Sequence, residues 1–110
     1  MPLLFRRRNK SAEPVSGLPQ ITCHQYVILS LLGEHTVSGR QLRERLKDIG
    51  LKRSGPAFYQ LMARLEERGY VQGWYKQAVI DGQIIKQRFY NVTSEGFRVL
   101  QHTQRFYGVQ

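Results

Sequence analysis

Cysteine is nearly absent from this chain: Cys23 is the only one in 110 residues. A single cysteine cannot close an intrachain disulfide, and its isolation favours a reducing compartment. The three histidines, His24, His35 and His102, lie on different predicted elements without metal-ligand spacing, and Cys23 beside His24 is no metal motif. The sequence also lacks a set of nucleophile, base and orienting group. We therefore expect no metal site, no catalytic residues, no cofactor and no enzymatic activity.

Long hydrophobic runs are also missing. No stretch approaches the roughly 20 apolar residues that a membrane-spanning helix needs. The first residues, MPLLFRRRNK, place their basic side chains after a very short apolar run, which is the reverse of a secretory signal. The sequence therefore predicts a cytoplasmic protein that does not enter a membrane.

Acidic residues are scarce, with 8 Asp and Glu against 17 Lys and Arg, so the formal net charge is +9. Such an excess favours polyanionic partners, nucleic acid first and an anionic membrane surface second. A basic surface can also serve solubility alone. The charge therefore suggests nucleic-acid binding as a hypothesis. The pattern of residues along the sequence is needed to distinguish it from the alternatives.

The length of 110 residues suits one small domain with a single core. Residues 1–20 carry Arg6, Arg7, Arg8 and Lys10 among Pro, Ser and Gly without a sustained period. This composition predicts a flexible basic N-terminal arm. Residues 21–110 then form the folded domain.

The segment SGPAFYQLMARLEERGYV, residues 54–71, has the marks of a complete helix. Ser54 is a candidate N-cap, Pro56 falls in the first turn, and Gly69 stands where a left-handed C-terminal residue belongs. Apolar residues recur at the spacing of one buried stripe: Phe58, Leu61, Met62 and Leu65. The opposite, outward face carries Tyr59, Gln60, Ala63, Arg64 and Glu67.

Two more helices are expected before this segment. Residues 22–33 are apolar around most of the helix circumference, so the helix must be covered on one side by the core and on another by a second copy of the chain. Residues 36–38 predict a very short strand. Ser38 and Gln41 then have capping-box spacing at the start of a helix whose buried stripe is Leu42, Leu46 and Ile49.

A hairpin and a last helix are expected after the segment. Residues 71–80 and 83–92 flank Asp81-Gly82, a strong signal for a two-residue turn. The resulting register places Val71 opposite Val92, Gly73 opposite Tyr90, Tyr75 opposite Arg88 and Trp74 opposite Phe89. Thr93 then caps a helix that runs to about Phe106.

The predicted order is helix, short strand, helix, helix, hairpin, helix. This is the plan of the winged helix-turn-helix, an α+β, mainly helical class with a two-stranded wing. The second helix of its helix-turn-helix pair, here within residues 54–69, is the recognition helix that enters the major groove of DNA. A last, C-terminal helix completes the plan.

The sequence resembles the PadR-type transcriptional regulators over residues 26 to about 100. Three segments are similar to the family pattern: YVILSLLGEHTVSGRQLRERL at 26–46, the serine, tyrosine and RLEERGYV of the recognition segment, and RFYNVTSEG at 88–96. The resemblance implies a dimeric DNA-binding repressor, often released from its operator by a small-molecule effector. It also implies that the first and last helices form the dimer contact.

These arguments give two sets of candidate site residues. We expect Arg64 and Gln60 to contact bases, Tyr59 to reach a phosphate, and the helix start at Ser54 to offer N–H groups to a phosphate. The full set expected at double-stranded DNA is Arg40, Lys52, Arg53, Ser54, Tyr59, Gln60, Arg64, Lys76, Lys86 and Arg88. Arg88 could instead stack on Tyr75 as a cation–π pair. The set expected at the homodimer contact is Tyr26, Ile28, Leu29, Leu32, Val99 and Phe106.

Two alternatives stay open. The wing tip VIDGQII, residues 79–85, is apolar where the PadR-type wing is usually glycine-rich and basic. Together with Trp74 it is compatible with a winged-helix module that binds another protein through its wing. Binding of single-stranded nucleic acid by stacked aromatics is weaker, because most aromatics have core-compatible spacing.

Overall fold

The computed structural model describes residues 20–108. The predicted arm, residues 1–20, lies outside the described residues except for Gln20. The elements are α1 (Cys23–Leu32), β1 (Val37–Ser38), α2 (Gly39–Asp48), α3 (Gly55–Glu67), β2 (Val71–Ile80), β3 (Gln83–Val92) and α4 (Ser94–Phe106). This order confirms the predicted winged helix-turn-helix.

Each helix begins at a hydroxyl side chain that caps free backbone N–H groups. Thr22 and Ser38 form complete capping boxes with Gln25 and Gln41. The Oγ of Ser54 accepts a hydrogen bond from the N–H of Ala57 at 3.2 Å. The Oγ1 of Thr93 does the same for Gly96 at 3.0 Å. Local sequence therefore fixes where all four of these helices start.

The sheet is antiparallel with the strand order β1-β3-β2. The register of β2 and β3 is the predicted one, with Val71 opposite Val92 and Trp74 opposite Phe89. Asp81 and Gly82 have φ values of 52° and 78°, so the two-residue turn has the left-handed backbone that hairpins prefer. β1 pairs only through Val37 and Ser38, at the base of β3.

The core lies where the four helices meet the base of the sheet. Helix α1 packs against α2, α4 and β3, and the buried side of α3 lies against this group and β2. The largest fully buried side chains include Tyr90, Phe58, Ile28, Leu29, Leu32, Leu42, Met62 and Leu65. Ile49, expected in the buried stripe of α2, is 53% exposed, because α2 ends at Asp48 and Ile49 is its C-cap residue. Leu51 packs against the core instead.

The residues expected at a dimer contact need a correction. Ile28, Leu29 and Leu32 are buried inside a single chain, because the face of α1 that carries them packs on α2, α4 and β3. Val99, on α4, is fully buried in the same core cluster. They could reach a second copy only if the core opened, so they are not surface contacts. Tyr26 and Phe106 do reach the surface of the described part of the chain.

The start of α4 lies very close to the link between α3 and β2. A Cβ atom on Gly96 would collide with the carbonyl oxygen of Tyr70 and lie 2.6 Å from Cγ1 of Val92. Thr93 binds the same link through its N–H to the Tyr70 carbonyl, at 3.1 Å, and through its hydroxyl to the Gly69 carbonyl. Gly96 is therefore required for the close approach. Within residues 20–108, no helix has the length and apolar character needed to cross a membrane.

Candidate nucleic-acid interface

One face of α3 is open to solvent along its whole length. Tyr59, Gln60, Ala63, Arg64 and Glu67 are exposed, as the helical spacing predicts. The opposite side, with Phe58, Met62 and Leu65, is fully buried and anchors the helix. Such a helix can insert its free face into a groove without disturbing the core.

Basic residues lie beside the N-terminus of α3. Lys52 is exposed and Arg53 half-buried in the loop that leads to the Ser54 cap. The N-terminus of a helix carries a partial positive charge that favours anions. The structure thus brings Lys52, Arg53 and Ser54 together at one end of α3, as the sequence order requires.

Tyr59 joins the start of α2 to α3. Its ring packs edge-on against Phe58 with the centroids 4.9 Å apart. Its hydroxyl lies over Gly39, where a Cβ atom would approach the oxygen to 2.9 Å. The Tyr59 hydroxyl is therefore held at the junction of α2 and α3, and the exposed Arg40 lines the same cleft as Tyr59.

Arg43 is a basic residue in this region that sequence reasoning did not assign to the site. Its Nη1 and Nη2 atoms lie 3.7 and 3.8 Å from the position of a Cβ on Gly55, so the guanidinium sits beside the start of α3. The only sequence signal was its place among the charged residues of α2, which it shares with Arg40, Arg45 and Lys47. Tertiary packing alone distinguishes it from them.

Arg88, expected at DNA, is instead engaged within the protein. Its Nη2 donates to Oε1 of Glu66 at 2.6 Å, and its guanidinium lies 4.7 Å from the Tyr75 ring centroid. Burial lowers the pKa of Arg88, but the hydrogen bond and charge of Glu66 outweigh this and leave the pKa above its ordinary value. The cation–π alternative is confirmed, and Arg88 serves as a link between α3 and the wing.

The two wing lysines lie on opposite faces of the ribbon, because side chains alternate along a strand. Lys86 lies over Tyr75, 5.0 Å from its ring centroid, on the face that Arg88 joins to α3. Lys76 lies 5.9 Å from the Phe89 centroid, on the face that carries the stacked Trp74–Phe89 pair. The structure therefore groups Lys86, but not Lys76, with the face of the wing that meets α3.

The end of the wing is apolar and exposed. Val79 and Ile84 face each other across the ribbon and are 72% and 73% exposed. The adjacent turn carries Asp81 and no basic residue. The basic part of the wing is therefore its stem, close to α3.

Metal ligation does not contribute to this surface in the described range. No group of three or more His, Cys, Asp or Glu side chains within residues 20–108 could hold a metal ion. The functional groups on this surface are cations, hydroxyl groups and amides around one exposed helix. These groups are suited to phosphate and base-edge contacts.

No protein-family model matches the sequence, and a search of curated proteins gives no significant match. Solved structures do match. A PadR family transcriptional regulator from Eggerthella lenta is 26% identical with a TM-score of 0.65, over 77% of this chain and 71% of that one. A PadR-like transcriptional regulator from Bacillus cereus is 22% identical with a TM-score of 0.65, over 77% and 81%.

A third matching structure is a complex with DNA. The structure of Bacillus subtilis PadR in complex with operator DNA is 20% identical with a TM-score of 0.59, and the match covers 73% of this chain and 46% of that one. At this level of identity the likeness concerns the fold. The order of helices and the wing is thus shared with regulators that include one bound to DNA.

Proposed function

We infer that this chain, which has the PadR-type winged-helix fold, is a DNA-binding transcriptional regulator, acting as a repressor in the cytoplasm and not as an enzyme. The observation that carries the proposal is the free face of α3, where Tyr59, Gln60 and Arg64 are exposed on a helix anchored by its other side. We also propose that residues 1–20 are a basic arm beside a domain formed by residues 21–110.

In this proposal α3 lies in the major groove. Arg64 can bond guanine and Gln60 adenine, each with two hydrogen bonds. Residues 54–70 contain two arginines and two glutamates, so the helix itself is neutral. Attraction to phosphate must therefore come from its surroundings, namely Arg40, Lys52, Arg53 and Lys86.

We propose that two copies act together across a two-fold axis. The described surface offers exposed or half-buried apolar side chains on α1, in the first turn of α4 and at the end of α4: Tyr26, Val27, Leu31, Phe97, Phe106 and Tyr107. These replace the buried residues that the sequence assigned to the contact. A symmetric dimer would place two α3 helices in successive major grooves about 10 base pairs apart.

Selection of bound duplexes from a random pool, at physiological salt, tests this function. The expected result is one enriched motif with two inverted half-sites, bound at least about a thousandfold more tightly than random duplex. Equal binding to all duplexes, or none, would refute a sequence-specific regulator. Light scattering on the selected complex would give two chains per duplex.

The apolar wing tip favours a second candidate function, a module that binds another protein. Val79 and Ile84 are exposed at the end of the wing, beside an acidic turn that would repel DNA. An Ile84→Asp variant should then lose a partner captured by the wild type, with no duplex selected by either protein. Retention of the partner by Ile84→Asp would exclude the wing tip as its contact.

A further inference from the structure

A cleft of about 540 Å³ opens between α2, α3 and the wing. Its lining includes Arg40 and Arg43 of α2, Tyr59 of α3, and Tyr75 and Lys86 of the wing stem. Three separate elements thus contribute a basic or hydroxyl-bearing side chain to one space. We call it the α2–α3–wing cleft.

The cleft has a net positive charge. Its lining contains three arginines and one lysine but no acidic residue. The charge of Arg88 is offset by Glu66, which lies behind it at 2.6 Å. Arg40, Arg43 and Lys86 are left to set the potential, which favours an anion.

Arg43 gives the cleft its specific feature. The Nε atom of Arg43 is buried and has no hydrogen-bond partner among the described residues. A buried donor on a charged group without an acceptor is unfavourable, and a shift of the Arg43 side chain towards an acceptor bound in the cleft would relieve it. A guanidinium in this state is suited to an anion with several oxygens, which can accept two of its N–H groups at once.

We propose that the α2–α3–wing cleft binds one phosphodiester of the DNA backbone in each half-site, with Arg43 as its central ligand. The proposal rests on the proposed function, because α3 in the major groove brings the bordering strand between α2 and the wing. Arg40, Lys86 and the Tyr59 hydroxyl complete the phosphate contacts. Ile80 and Ile85, which also line the cleft, offer apolar surface to the adjoining sugar.

Substitution of single phosphates by neutral methylphosphonates tests the assignment. The duplex is the one selected by the full-length protein, with one substitution at a time along each strand. For the wild type, one position per half-site should weaken binding about tenfold through loss of this charged contact. Arg43→Gln should weaken binding to the unmodified duplex by a similar factor and lose sensitivity at that position only.

Lys47→Gln serves as the matched control, since Lys47 is an exposed cation on the same helix that does not line the cleft. It should remain sensitive at the same position as the wild type. Urea unfolding of Arg43→Gln without DNA should show no loss of stability, because the substitution removes an unsatisfied donor. The slope of log affinity against log salt should fall by about one unit for Arg43→Gln.

Inorganic phosphate offers the same chemistry from a free source. Replacing chloride by phosphate at equal ionic strength should weaken wild-type binding to the selected duplex by less than about twofold. The other contacts of the duplex present its backbone phosphate to the cleft at a high effective concentration, so free phosphate competes poorly. Two results together would overturn the backbone assignment in favour of a free anion. Phosphate would displace DNA from the wild type but not from Arg43→Gln, and the variant would remain sensitive at every methylphosphonate position to which the wild type is sensitive.

Failure of this inference differs from failure of the proposed function. If the wild type selects a duplex and Arg43→Gln keeps every methylphosphonate sensitivity, the cleft is not the phosphate site and the regulator stands. If the wild type selects no duplex, both are overturned together. If Arg43→Gln loses sensitivity at one methylphosphonate position only, both the phosphate site and the proposed function are supported.

Discussion

Glu66 on α3 and Arg88 on β3 are joined by an ion pair whose Oε1–Nη2 distance is 2.6 Å. Gly73 on β2 makes room for it, since a Cβ atom there would lie 2.9 Å from both Arg88 Nη2 and Glu66 Oε1. The pair therefore fixes the wing against the proposed recognition helix at a point where the backbone of β2 comes very close. Both side chains are only about a quarter exposed, at 22% and 26%.

Breaking this pair should cost more than breaking a surface pair. We expect Glu66→Gln and Arg88→Gln each to lower the free energy of unfolding by about 1 to 2 kcal/mol, because either one leaves a partly buried charge without its partner. In a double-mutant cycle measured by urea unfolding, the coupling energy should be about 1 kcal/mol.

Glu95 and Arg98 provide the matched control. Their Oε2–Nη2 distance is also 2.6 Å, but they are three residues apart on α4 and about half exposed, at 50% and 53%. Solvent screening should reduce their coupling below about 0.5 kcal/mol. Equal coupling in the two cycles would show that burial does not strengthen the Glu66–Arg88 link.

Tyr90 predicts a loss of stability at high pH. Burial, opposed by Arg88 and assisted by Glu66, raises the pKa of Tyr90 from 10.0 to about 12. The unfolded chain then releases this proton first, so the contribution to stability is complete below pH 10 and is lost as the pH rises towards 12. Between pH 9 and 12 the wild type should lose about 2 kcal/mol more than Tyr90→Phe. Parallel unfolding free energies for the two proteins would contradict the raised pKa.

Substitution by alanine should have a large effect at one helical glycine and a small effect at another. Gly96→Ala should lower the free energy of unfolding by more than about 2 kcal/mol, since its Cβ would collide with the Tyr70 carbonyl and α4 would have to move. Gly55→Ala, at the start of α3, meets only ordinary contacts with Arg43 at 3.7 Å or more. It should change the free energy of unfolding by less than about 1 kcal/mol. Helix propensity and unfolded-state entropy favour alanine, but Pro56 disfavours helical backbone for a preceding residue that has a Cβ. Thermal unfolding of both variants checks the contrast.

Lys52 and Arg64 should have different effects on DNA binding. Lys52→Ala removes a proposed phosphate contact, so affinity should fall for all duplexes alike and the salt slope by about one unit. Arg64→Ala removes a proposed base contact, so preference at one base pair should relax by about 1 to 3 kcal/mol.

Competition between the selected duplex and single-base variants measures both effects. A uniform loss for Arg64→Ala across selected and random duplexes would rule out base reading by that side chain. A loss for Lys52→Ala confined to one base pair would rule out a simple phosphate contact.

Much of the fold could be predicted from sequence because its signals are local. Ser38, Ser54 and Thr93 cap helices through atoms three residues away. Asp81-Gly82 sets the hairpin turn, and the turn then fixes the pairing of every residue in β2 and β3. The exposed face of α3 likewise followed from helical spacing.

The parts of the fold and of the candidate site that the sequence does not predict depend on contacts between elements distant in sequence. The apolar residues of α1 cover most of its circumference and do not reveal which side packs inward. The sequence therefore predicts Ile28, Leu29 and Leu32 at a dimer contact, although they are buried. Arg88 is separated from Glu66 by 22 residues, and only the folded chain shows that they meet. Arg43 differs from Arg45 and Lys47 through the neighbours that tertiary packing gives it.

The pairing of β1 with β3 stops at Tyr90 and Phe89, and Arg88 is joined to α3 by its ion pair with Glu66. Beyond Arg88 the wing is a ribbon of two strands. Stability in this outer half is decoupled from the helical core, since its side chains contribute little to the buried cluster. The exposed side chains of Val79 and Ile84, on either side of the Asp81-Gly82 turn, can therefore change with little loss of stability in the domain. The wing tip is the part of this molecule in which selection can alter the partner while the fold stays the same.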